Sequence, residues 1–316
     1  MTVHRTASRR PTRALLVGVV AVLATFAATA CQPKPADKLP IGGIDEALTA
    51  YVASPAAVPG ANDWNCKPSA AHPNPVVLVH ATGVNLGANW VALSPMLKNE
   101  GYCVYAFNYG FTGLSLNRIG GLGDIAKSAA TMSAFVDKVL ASTGAAKVDV
   151  VGHSQGGMMP NYYIKRLGGA AKVRTLVGIS PSNHGTTLSG IVTLGADLNI
   201  LGFANTIIWG IGIPAAVQQE KGSSFQTSLF GDGDTVAGPR YVVLQTRYDR
   251  IVTPASQAFL SGPNVTNIWI QDQCPSDRVG HVGMALDRPV LQNVLNQLGP
   301  NTPGFKPACS GYGPAL

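Results

Sequence analysis

Six short apolar runs alternate along the chain with longer stretches of helical pattern, and this alternation restricts the fold more than any other feature. The runs are residues 76–79, 102–105, 148–151, 175–179, 241–244 and 266–270, and the helical stretches are residues 88–99, 124–143, 156–167 and 284–298. Near-continuous apolar runs are typical of strands buried on both faces of a parallel sheet. The alternation therefore predicts an α/β fold, a three-layer sandwich with a mostly parallel central sheet and right-handed crossovers.

Residues 184–235 interrupt the alternation with an apolar, glycine-rich stretch. We expect it to form a small cap-like segment over a binding site or, alternatively, an irregular part of the core. Its candidate contacts with an apolar ligand are Ile191, Leu194, Leu198 and Leu201. No internal repeat occurs, and one α/β domain of this length is common, so we predict a single domain over residues 44–316.

The composition excludes a disordered or strongly charged protein. Hydrophobic residues make up 46% of the chain and charged residues 12%, which is too apolar for a disordered class. The formal net charge is +7, but four of these charges are arginines of residues 1–30, which leaves +3 for the rest. So small a surplus does not indicate a nucleic-acid partner or binding to anionic membranes.

The first 30 residues have the order of an export signal. Residues 1–13 are basic, residues 14–30 carry no charge, and residues 28–30 (Ala-Thr-Ala) end the run with small side chains. This order is typical of a signal peptide, here residues 1–30. A membrane anchor is the alternative, but the uncharged run is at the short limit for spanning a bilayer.

Cys31 directly follows the small residues, and residues 28–31 resemble a bacterial lipobox, in which the cysteine is lipidated. Cysteine parity favours lipidation, because disulfides persist in exported proteins and five cysteines leave one over. Without Cys31, an even set with three possible pairings remains, namely Cys66, Cys103, Cys274 and Cys309. Residues 31–43, rich in Pro, Lys and Gly, are predicted to be a tether. We expect either a cell-envelope lipoprotein attached to a membrane through Cys31 or a secreted extracellular protein.

Residues 152–156 (Gly-His-Ser-Gln-Gly) match the pattern G-x-S-x-G between a predicted strand and a predicted helix. A sharp strand-to-helix turn strains the serine backbone and exposes its hydroxyl, and glycines on either side allow close approach of neighbouring segments. The alternative is an ordinary Gly-Ser turn. The context predicts a nucleophile elbow with Ser154 as the nucleophile.

A serine nucleophile needs a base that takes its proton. Two histidines follow Ser154 in the sequence, His184 and His281. His281 lies in a loop before the last predicted helix and is the candidate base. His184 precedes every plausible acidic loop, so we expect it to line the pocket or to form a hydrogen bond.

The base usually needs an acid that orients it. Asp249 follows the predicted strand 241–244, and loops at the carboxyl ends of strands are where α/β sheets carry their ligands. Asp249 is therefore the candidate acid. Asp272 and Asp277 are its rivals, with solvated loop charges as their ordinary interpretation.

Acyl transfer also needs backbone N–H groups directed at the developing oxyanion. The residue after the nucleophile, Gln155, is one candidate donor. The other lies in residues 80–83 (His-Ala-Thr-Gly) after the first strand, where Thr82 is favoured and its hydroxyl is a candidate third donor. An ordinary turn at the end of a strand is the alternative.

The sequence contains no pattern that indicates a metal or cofactor. The histidines and cysteines lack zinc spacings such as H-E-x-x-H or paired C-x-x-C, and no phosphate-binding glycine loop occurs. We therefore expect chemistry that needs neither.

Together these motifs resemble the secreted bacterial lipases and esterases of the α/β-hydrolase superfamily, especially the class 2 lipases. The matching segments, all within residues 76–298, are residues 79–83, 152–157, 248–254 and 280–283. Ala81 stands where that family more often has glycine. The settings of Thr82, Ser154 and Asp249 are also similar to those in the lipase B type of fungal enzyme.

The resemblance implies an α/β-hydrolase fold with Cys66 paired to Cys103 and Cys274 to Cys309. It also implies a triacylglycerol lipase or carboxylesterase that cleaves lipid or small ester substrates through an acyl-enzyme, and we expect a monomer. The alternatives are a polyester or cutin hydrolase, a cell-envelope acyltransferase with the same three residues, and a non-catalytic acyl-binding lipoprotein.

Overall fold

The computed structural model of the chain describes residues 1–4, 37–113, 115–200, 213–299 and 301–316. Of Leu188, Ile191 and residues 198–200 it describes the backbone alone. Most of the predicted signal peptide, the lipidation candidate Cys31 and the pocket candidate Leu201 lie outside the described residues, as do the side chains of Ile191 and Leu198. Residues Lys38–Leu316 form one compact unit.

Six parallel strands form one sheet, and they correspond to the six predicted runs. They are β1 (Val76–Val79), β2 (Val104–Phe107), β3 (Val148–His153), β4 (Val173–Ile179), β5 (Arg240–Gln245) and β6 (Val265–Trp269). Their order across the sheet is β2-β1-β3-β4-β5-β6, with parallel pairing throughout. The predicted α/β fold with a central parallel sheet is confirmed.

The α-helices of the described ranges lie before the first strand, between the strands and beyond the last one. They are α1 (Ile44–Ala53), α2 (Leu86–Asn89), α3 (Leu93–Asn99), α4 (Ile125–Thr143), α5 (Gln155–Arg166), α6 (Leu188–Ile200), α7 (Pro214–Gln218), α8 (Ser224–Phe230), α9 (Ile270–Gln273) and α10 (Arg288–Leu298). The predicted helix 88–99 is divided into α2 and α3. The predicted helix 284–298 begins only at Arg288, because the Asp287 side chain accepts the Val290 N–H and caps α10 there.

Side chains of β1 alternate between two apolar layers. Val77 and Val79 pack in the layer that holds the buried faces of α4 and α5. Val76 and Leu78 pack in the opposite layer with α3 and α10. Burial on both faces explains why the predicted runs are almost continuously apolar.

The last strand departs from this pattern. Residues 266–270 were expected to be buried on both faces, but Thr266 and Asn267 of β6 are exposed. That expectation is wrong for β6, an edge strand; its edge position alone does not explain the exposure, because β2 at the other edge is buried along its whole length.

Two disulfides join segments outside the sheet. Cys66 is bonded to Cys103, directly before β2, and Cys274 to Cys309. The second bond ties residues near the C-terminal end to the segment that follows β6. These are the pairings implied by the family resemblance. Within the described residues, no helix combines the length and the apolar character needed to cross a membrane.

Candidate active site

Strand order brings two predicted motifs together. β1 lies between β2 and β3, so the connections that leave β1 and β3 run to opposite sides and open a crevice at their carboxyl ends. Val79 is level with Gly152 in the register of these strands. The loop of residues 80–83 and the turn at Ser154 therefore begin side by side.

Ser154 occupies a strained turn between β3 and α5. Its backbone has φ 56° and ψ −123°, a conformation that typically costs a non-glycine residue about 1–3 kcal/mol. A Cβ at Gly152 would lie 1.8 Å from the carbonyl oxygen of Gly156, and a Cβ at Gly156 would lie 2.1 Å from that of Val79. Glycine on both sides of the turn is therefore a steric requirement.

His281 and Asp249 form a buried pair. His281 Nδ1 donates to Asp249 Oδ2 at 2.8 Å, and their side chains are 1% and 0% exposed. The other carboxylate oxygen accepts the N–H groups of Ile251 at 2.9 Å and Val252 at 2.8 Å, and Gln245 Nε2 donates to Oδ2 at 3.2 Å. With its hydrogen on Nδ1, the imidazole carries a lone pair on Nε2, and this buried atom has no hydrogen-bond partner among the described residues.

The rival residues lie elsewhere. The Asp272 side chain is 61% exposed and pairs with Arg247. Asp277 is buried, but its carboxylate accepts a backbone N–H of its own loop and does not bond to the candidate base. His184 faces Asp234 at 3.4 Å. None of these three is hydrogen bonded to the buried pair.

Ser154 and His281 face adjoining cavities. Ser154 lines a cavity of about 10 Å³, and His281 lines one of about 40 Å³, and Thr82 and Leu194 contribute to both. No direct hydrogen bond joins the Ser154 hydroxyl to His281. The residue before the serine, His153, contacts the carbonyl oxygen of His281 through its Nε2 at 3.0 Å.

Two backbone N–H groups are free at this edge of the sheet. Those of Thr82 and Gln155 have no hydrogen-bond acceptor within the described residues, although both residues are buried. Buried N–H groups are nearly always paired, so two unpaired donors beside a serine are suited to an anionic or polarised oxygen. The Thr82 hydroxyl accepts a hydrogen bond from Gln219 Nε2 at 3.1 Å.

Two further histidines of the site are fixed in the neutral form. Burial lowers the pKa of His80 to about 4 and that of His153 to about 3. His80 Nδ1 bonds to the carbonyl oxygen of Ala81 at 2.8 Å, and His153 Nδ1 lies 3.3 Å from the side-chain oxygen of Asn89. These rings are uncharged near neutral pH and serve as fixed hydrogen-bonding groups.

Comparison with known proteins identifies the family. The family model for class 2 lipases matches residues 73–287. The chain belongs to the class 2 lipase family. The predicted family is thereby confirmed.

Two curated relatives of this class 2 lipase family member are named triacylglycerol lipase. The protein from Burkholderia plantarii is 39% identical over 116 residues, which cover 35% of this chain and 28% of the relative. The protein from Pseudarthrobacter phenanthrenivorans is 38% identical over 94 residues, 28% of this chain and 27% of the relative. The matches thus span little more than a quarter of the length of either relative.

Solved structures support the fold of this family member. Aspergillus fumigatus lipase B has a TM-score of 0.60 at 19% identity, over 88% of this chain and 60% of that chain. The mature form of Bacillus licheniformis lipase BlEst2 has a TM-score of 0.52 at 16% identity, over 73% of this chain and 94% of that chain. At these identities the likeness concerns the fold, and it is the α/β-hydrolase fold.

The cavity beside His281 has an apolar lining, to which the predicted cap-like segment contributes Leu194 of α6. Sequence reasoning missed two parts of its surroundings. Ile44 and Ala47 of α1, a helix that was not predicted, form part of the wall. Gln219, at the end of α7, lines the smaller cavity with Ser154. No group of three or more His, Cys, Asp or Glu side chains in the described ranges is arranged to hold a metal ion.

Proposed function

We propose that this class 2 lipase family member is an exported serine hydrolase of carboxylic esters, with Ser154 as nucleophile, His281 as base and Asp249 as the acid that orients the base. The observation that carries the proposal is the Asp249–His281 hydrogen bond of 2.8 Å. It leaves the buried Nε2 lone pair of His281 unpartnered next to a cavity that adjoins Ser154. A neutral imidazole in this tautomer can accept the proton of a serine hydroxyl.

The proposed reaction is a two-step acyl transfer. Ser154 Oγ attacks the ester carbonyl carbon while His281 Nε2 takes the hydroxyl proton, and the N–H groups of Thr82 and Gln155 bind the resulting oxyanion. The intermediate expels the alcohol, which receives the proton from His281, and an acyl-enzyme remains. Water then attacks this ester, its proton passes through His281 to Ser154, and the free acid leaves. Asp249 stabilises the imidazolium that forms in each step.

An apolar acyl chain is the substrate group that suits the lining. Side chains of α1, α6 and the segment after His281 form an almost wholly apolar wall. This cavity has a volume of about 40 Å³. These features favour a lipase or carboxylesterase.

Export is part of the proposal. Disulfides persist outside the reducing cytosol, and the chain has two, Cys66–Cys103 and Cys274–Cys309. Lipid attachment at Cys31 would place the enzyme on a membrane, whereas cleavage without lipidation would release it. The intact mass of the mature protein distinguishes these forms, because a diacylated cysteine adds a mass that an unmodified N-terminus lacks.

The function is tested by ester hydrolysis and by covalent labelling of the purified protein. We expect turnover of p-nitrophenyl acetate, octanoate or palmitate, and attachment of a fluorophosphonate to the peptide that contains Ser154. Ser154→Ala should abolish both, while Ser182→Ala, a change at another buried serine of the same small cavity, should keep the label. A folded wild-type chain that neither hydrolyses the esters nor accepts the probe would favour the acyl-binding lipoprotein instead.

Leu194→Trp is expected to change the preference for acyl length. Leu194 lines both cavities, so an indole at this position fills their junction. We expect kcat/KM for the palmitate ester to fall about 10- to 100-fold, and that for the acetate ester to fall much less. Val192→Trp on the same helix is the control, because Val192 is 63% exposed. Equal losses with both esters would contradict the placement of the acyl chain at Leu194.

A further inference from the structure

The side chain of Gln219 connects the end of α7 to the loop that follows β1. Gln219 Nε2 donates to Thr82 Oγ1 at 3.1 Å and to the carbonyl oxygen of Ala215 at 3.2 Å. Its Oε1 accepts from the Ser182 hydroxyl at 2.9 Å. Both hydrogens of this buried amide nitrogen are therefore in hydrogen bonds, one to a carbonyl oxygen and one to a hydroxyl oxygen.

The carbonyl determines which way the amide faces. The oxygen of Ala215 can only accept a hydrogen bond, so the nitrogen of Gln219 must point toward it. The second hydrogen of the same nitrogen is then directed at Thr82 Oγ1, and the Thr82 hydroxyl must act as the acceptor. Its own hydrogen has to point elsewhere, and it has no acceptor within the described ranges.

The cavity beside Ser154 is where that hydrogen has room. Thr82, Ser154, Ser182 and Gln219 line it together. Both Thr82 and Gln219 are buried, so bulk water does not compete for the hydroxyl. In such an enclosed site a fixed donor stabilises a developing negative charge more strongly than it would in water.

The backbone of Gln219 is held as firmly as its side chain. Its N–H donates to the carbonyl oxygen of Ala215, and its carbonyl accepts the N–H of Thr186 at 2.8 Å. The N–H of Lys221 in turn donates to the carbonyl oxygen of Thr186 at 2.8 Å. The donor is therefore in position before a substrate arrives.

We propose that Gln219 is a positioning residue that holds the Thr82 hydroxyl so that its hydrogen points at the oxyanion formed at Ser154. The hydroxyl then adds a third donor to the N–H groups of Thr82 and Gln155. This inference rests on the proposed ester hydrolysis. It makes the complete oxyanion site depend on the docking of residues 214–219 of the cap-like segment against the loop after β1.

A double-mutant cycle with Thr82 tests the proposal. Thr82→Val should lower kcat for p-nitrophenyl acetate about 100-fold, the effect of losing one oxyanion donor. Gln219→Leu should lower kcat about 10-fold, because the hydroxyl remains but is free to turn away. Adding Gln219→Leu to Thr82→Val should change kcat by less than about 2-fold, since residues that act on one group are not additive. In a Thr82→Ser background, which keeps a hydroxyl, Gln219→Leu should again cost about 10-fold.

The control is Gln226→Leu, a change at a second buried glutamine of the same segment. Gln226 Nε2 donates to the carbonyl oxygen of Ser182 at 3.3 Å and does not contact Thr82. Its kcat should stay within about 2-fold of the wild type. For every variant, kcat is calculated per active site titrated with the fluorophosphonate, and Tm is measured to check that the protein is folded.

Three results would overturn the proposal. One is an unchanged kcat in folded Gln219→Leu. Another is that Gln219→Leu lowers kcat as much in the Thr82→Val background as in the wild type, because this result indicates a general disturbance of the fold. Both would leave the proposed esterase intact. The third, a wild-type chain without ester hydrolysis, would overturn the esterase and this inference together.

Discussion

Asp249→Asn is expected to lower kcat about 10⁴-fold while the protein stays folded. The reason lies in the two backbone N–H groups, of Ile251 and Val252, that donate to Oδ1 of Asp249. In the variant, the amide oxygen must occupy that position, because the amide nitrogen has no lone pair to offer. The amide nitrogen is then forced to face His281 Nδ1.

This orientation reverses the tautomer of the base. The amide nitrogen donates to His281 Nδ1, so the ring carries its hydrogen on Nε2 and has no lone pair there for the Ser154 proton. In the variant, His281 therefore keeps its position but cannot accept the Ser154 proton. Gln245 Nε2 also loses one of its two acceptors, because it donates to the same carboxylate oxygen as well as to the carbonyl oxygen of Ala255. A stability loss of about 1–3 kcal/mol is expected from these unsatisfied donors.

Steady-state hydrolysis of one ester, together with Tm, measures both effects. The matched control is Asp272→Asn, which removes a carboxylate in an exposed ion pair with Arg247 and should leave kcat within about 2-fold. If folded Asp249→Asn keeps a tenth or more of the wild-type kcat, Asp249 does not orient the base.

The strands could be predicted because their signal is local. A short apolar run needs no partner to be recognised, and all six runs are strands in the structure. The order of the strands in the sheet has no such local signal, because it depends on which face of the sheet each connecting segment crosses. The placement of β1 beside β3 brings Thr82 and Ser154 together. The exposure of Thr266 and Asn267 in β6 was equally hidden from the sequence, because which edge strand is covered, as β2 is, depends on segments distant in sequence.

The residues missed at the site share one property, which is that their importance comes from contacts distant in sequence. Gln219 lies 137 residues from Thr82 and belongs to no motif. α1 is a 10-residue helix that buries only Ala47 and Tyr51, so its apolar pattern is weak. It begins where the Glu46 side chain accepts the Gly43 N–H at 2.7 Å. Such a helix is recognisable from its packing rather than from its sequence.

The C-terminal segment packs against the loop that carries His281, which no sequence pattern indicated. The N–H groups of Gly280 and Val282 donate to the carbonyl oxygens of Pro314 at 3.1 Å and Leu316 at 2.7 Å. A Cβ at Gly283 would lie 2.0 Å from the carbonyl oxygen of Pro314. Residues 313–316 therefore pack against the loop of the proposed base, His281.

Two buried carboxylates lie in this contact. Asp287 Oδ1 accepts the Val290 N–H at 3.0 Å, and its Oδ2 accepts the Gly313 N–H at 2.9 Å. Asp277 Oδ1 accepts the Val279 N–H at 2.8 Å, whereas its Oδ2 has no backbone or side-chain donor in the described residues. The two carboxyl groups influence each other's pKa, and a hydrogen bond between two carboxyl groups requires a proton on one of them. Burial and the neighbouring carboxylate raise the pKa of Asp287 to about 7, and burial raises that of Asp277.

The raised pKa makes the pair a source of instability at high pH. Below the pKa of an unfolded aspartate, about 3.9, both states carry the proton, so the pair does not affect the free energy of unfolding. As pH rises from there to about 7, the folded state keeps a proton that the unfolded state releases, and stability falls. Above about pH 7 the folded state must bury two repelling charges. The free energy of unfolding has then fallen by a few kcal/mol in total and falls no further through this pair.

Asp277→Asn is therefore expected to stabilise the protein in alkaline buffer. An asparagine can accept the Val279 N–H with its oxygen and donate to Asp287 with its nitrogen, so that no shared proton is needed. We expect its Tm to exceed that of the wild type by several degrees at about pH 8 and to match it near pH 4. Differential scanning fluorimetry across this range measures the difference.

The same substitution at the partner should carry a cost that Asp277→Asn does not. Both oxygens of Asp287 accept backbone N–H groups, so Asp287→Asn sets an amide nitrogen against the N–H of Val290 or Gly313. We expect a Tm below the wild type near pH 4, because a buried donor loses its acceptor at about 1–3 kcal/mol. At about pH 8 the removal of the buried charge offsets this loss, so Asp287→Asn should stabilise the protein less than Asp277→Asn does. If both lower Tm at about pH 8, the two aspartates do not share a proton, and their burial has another basis.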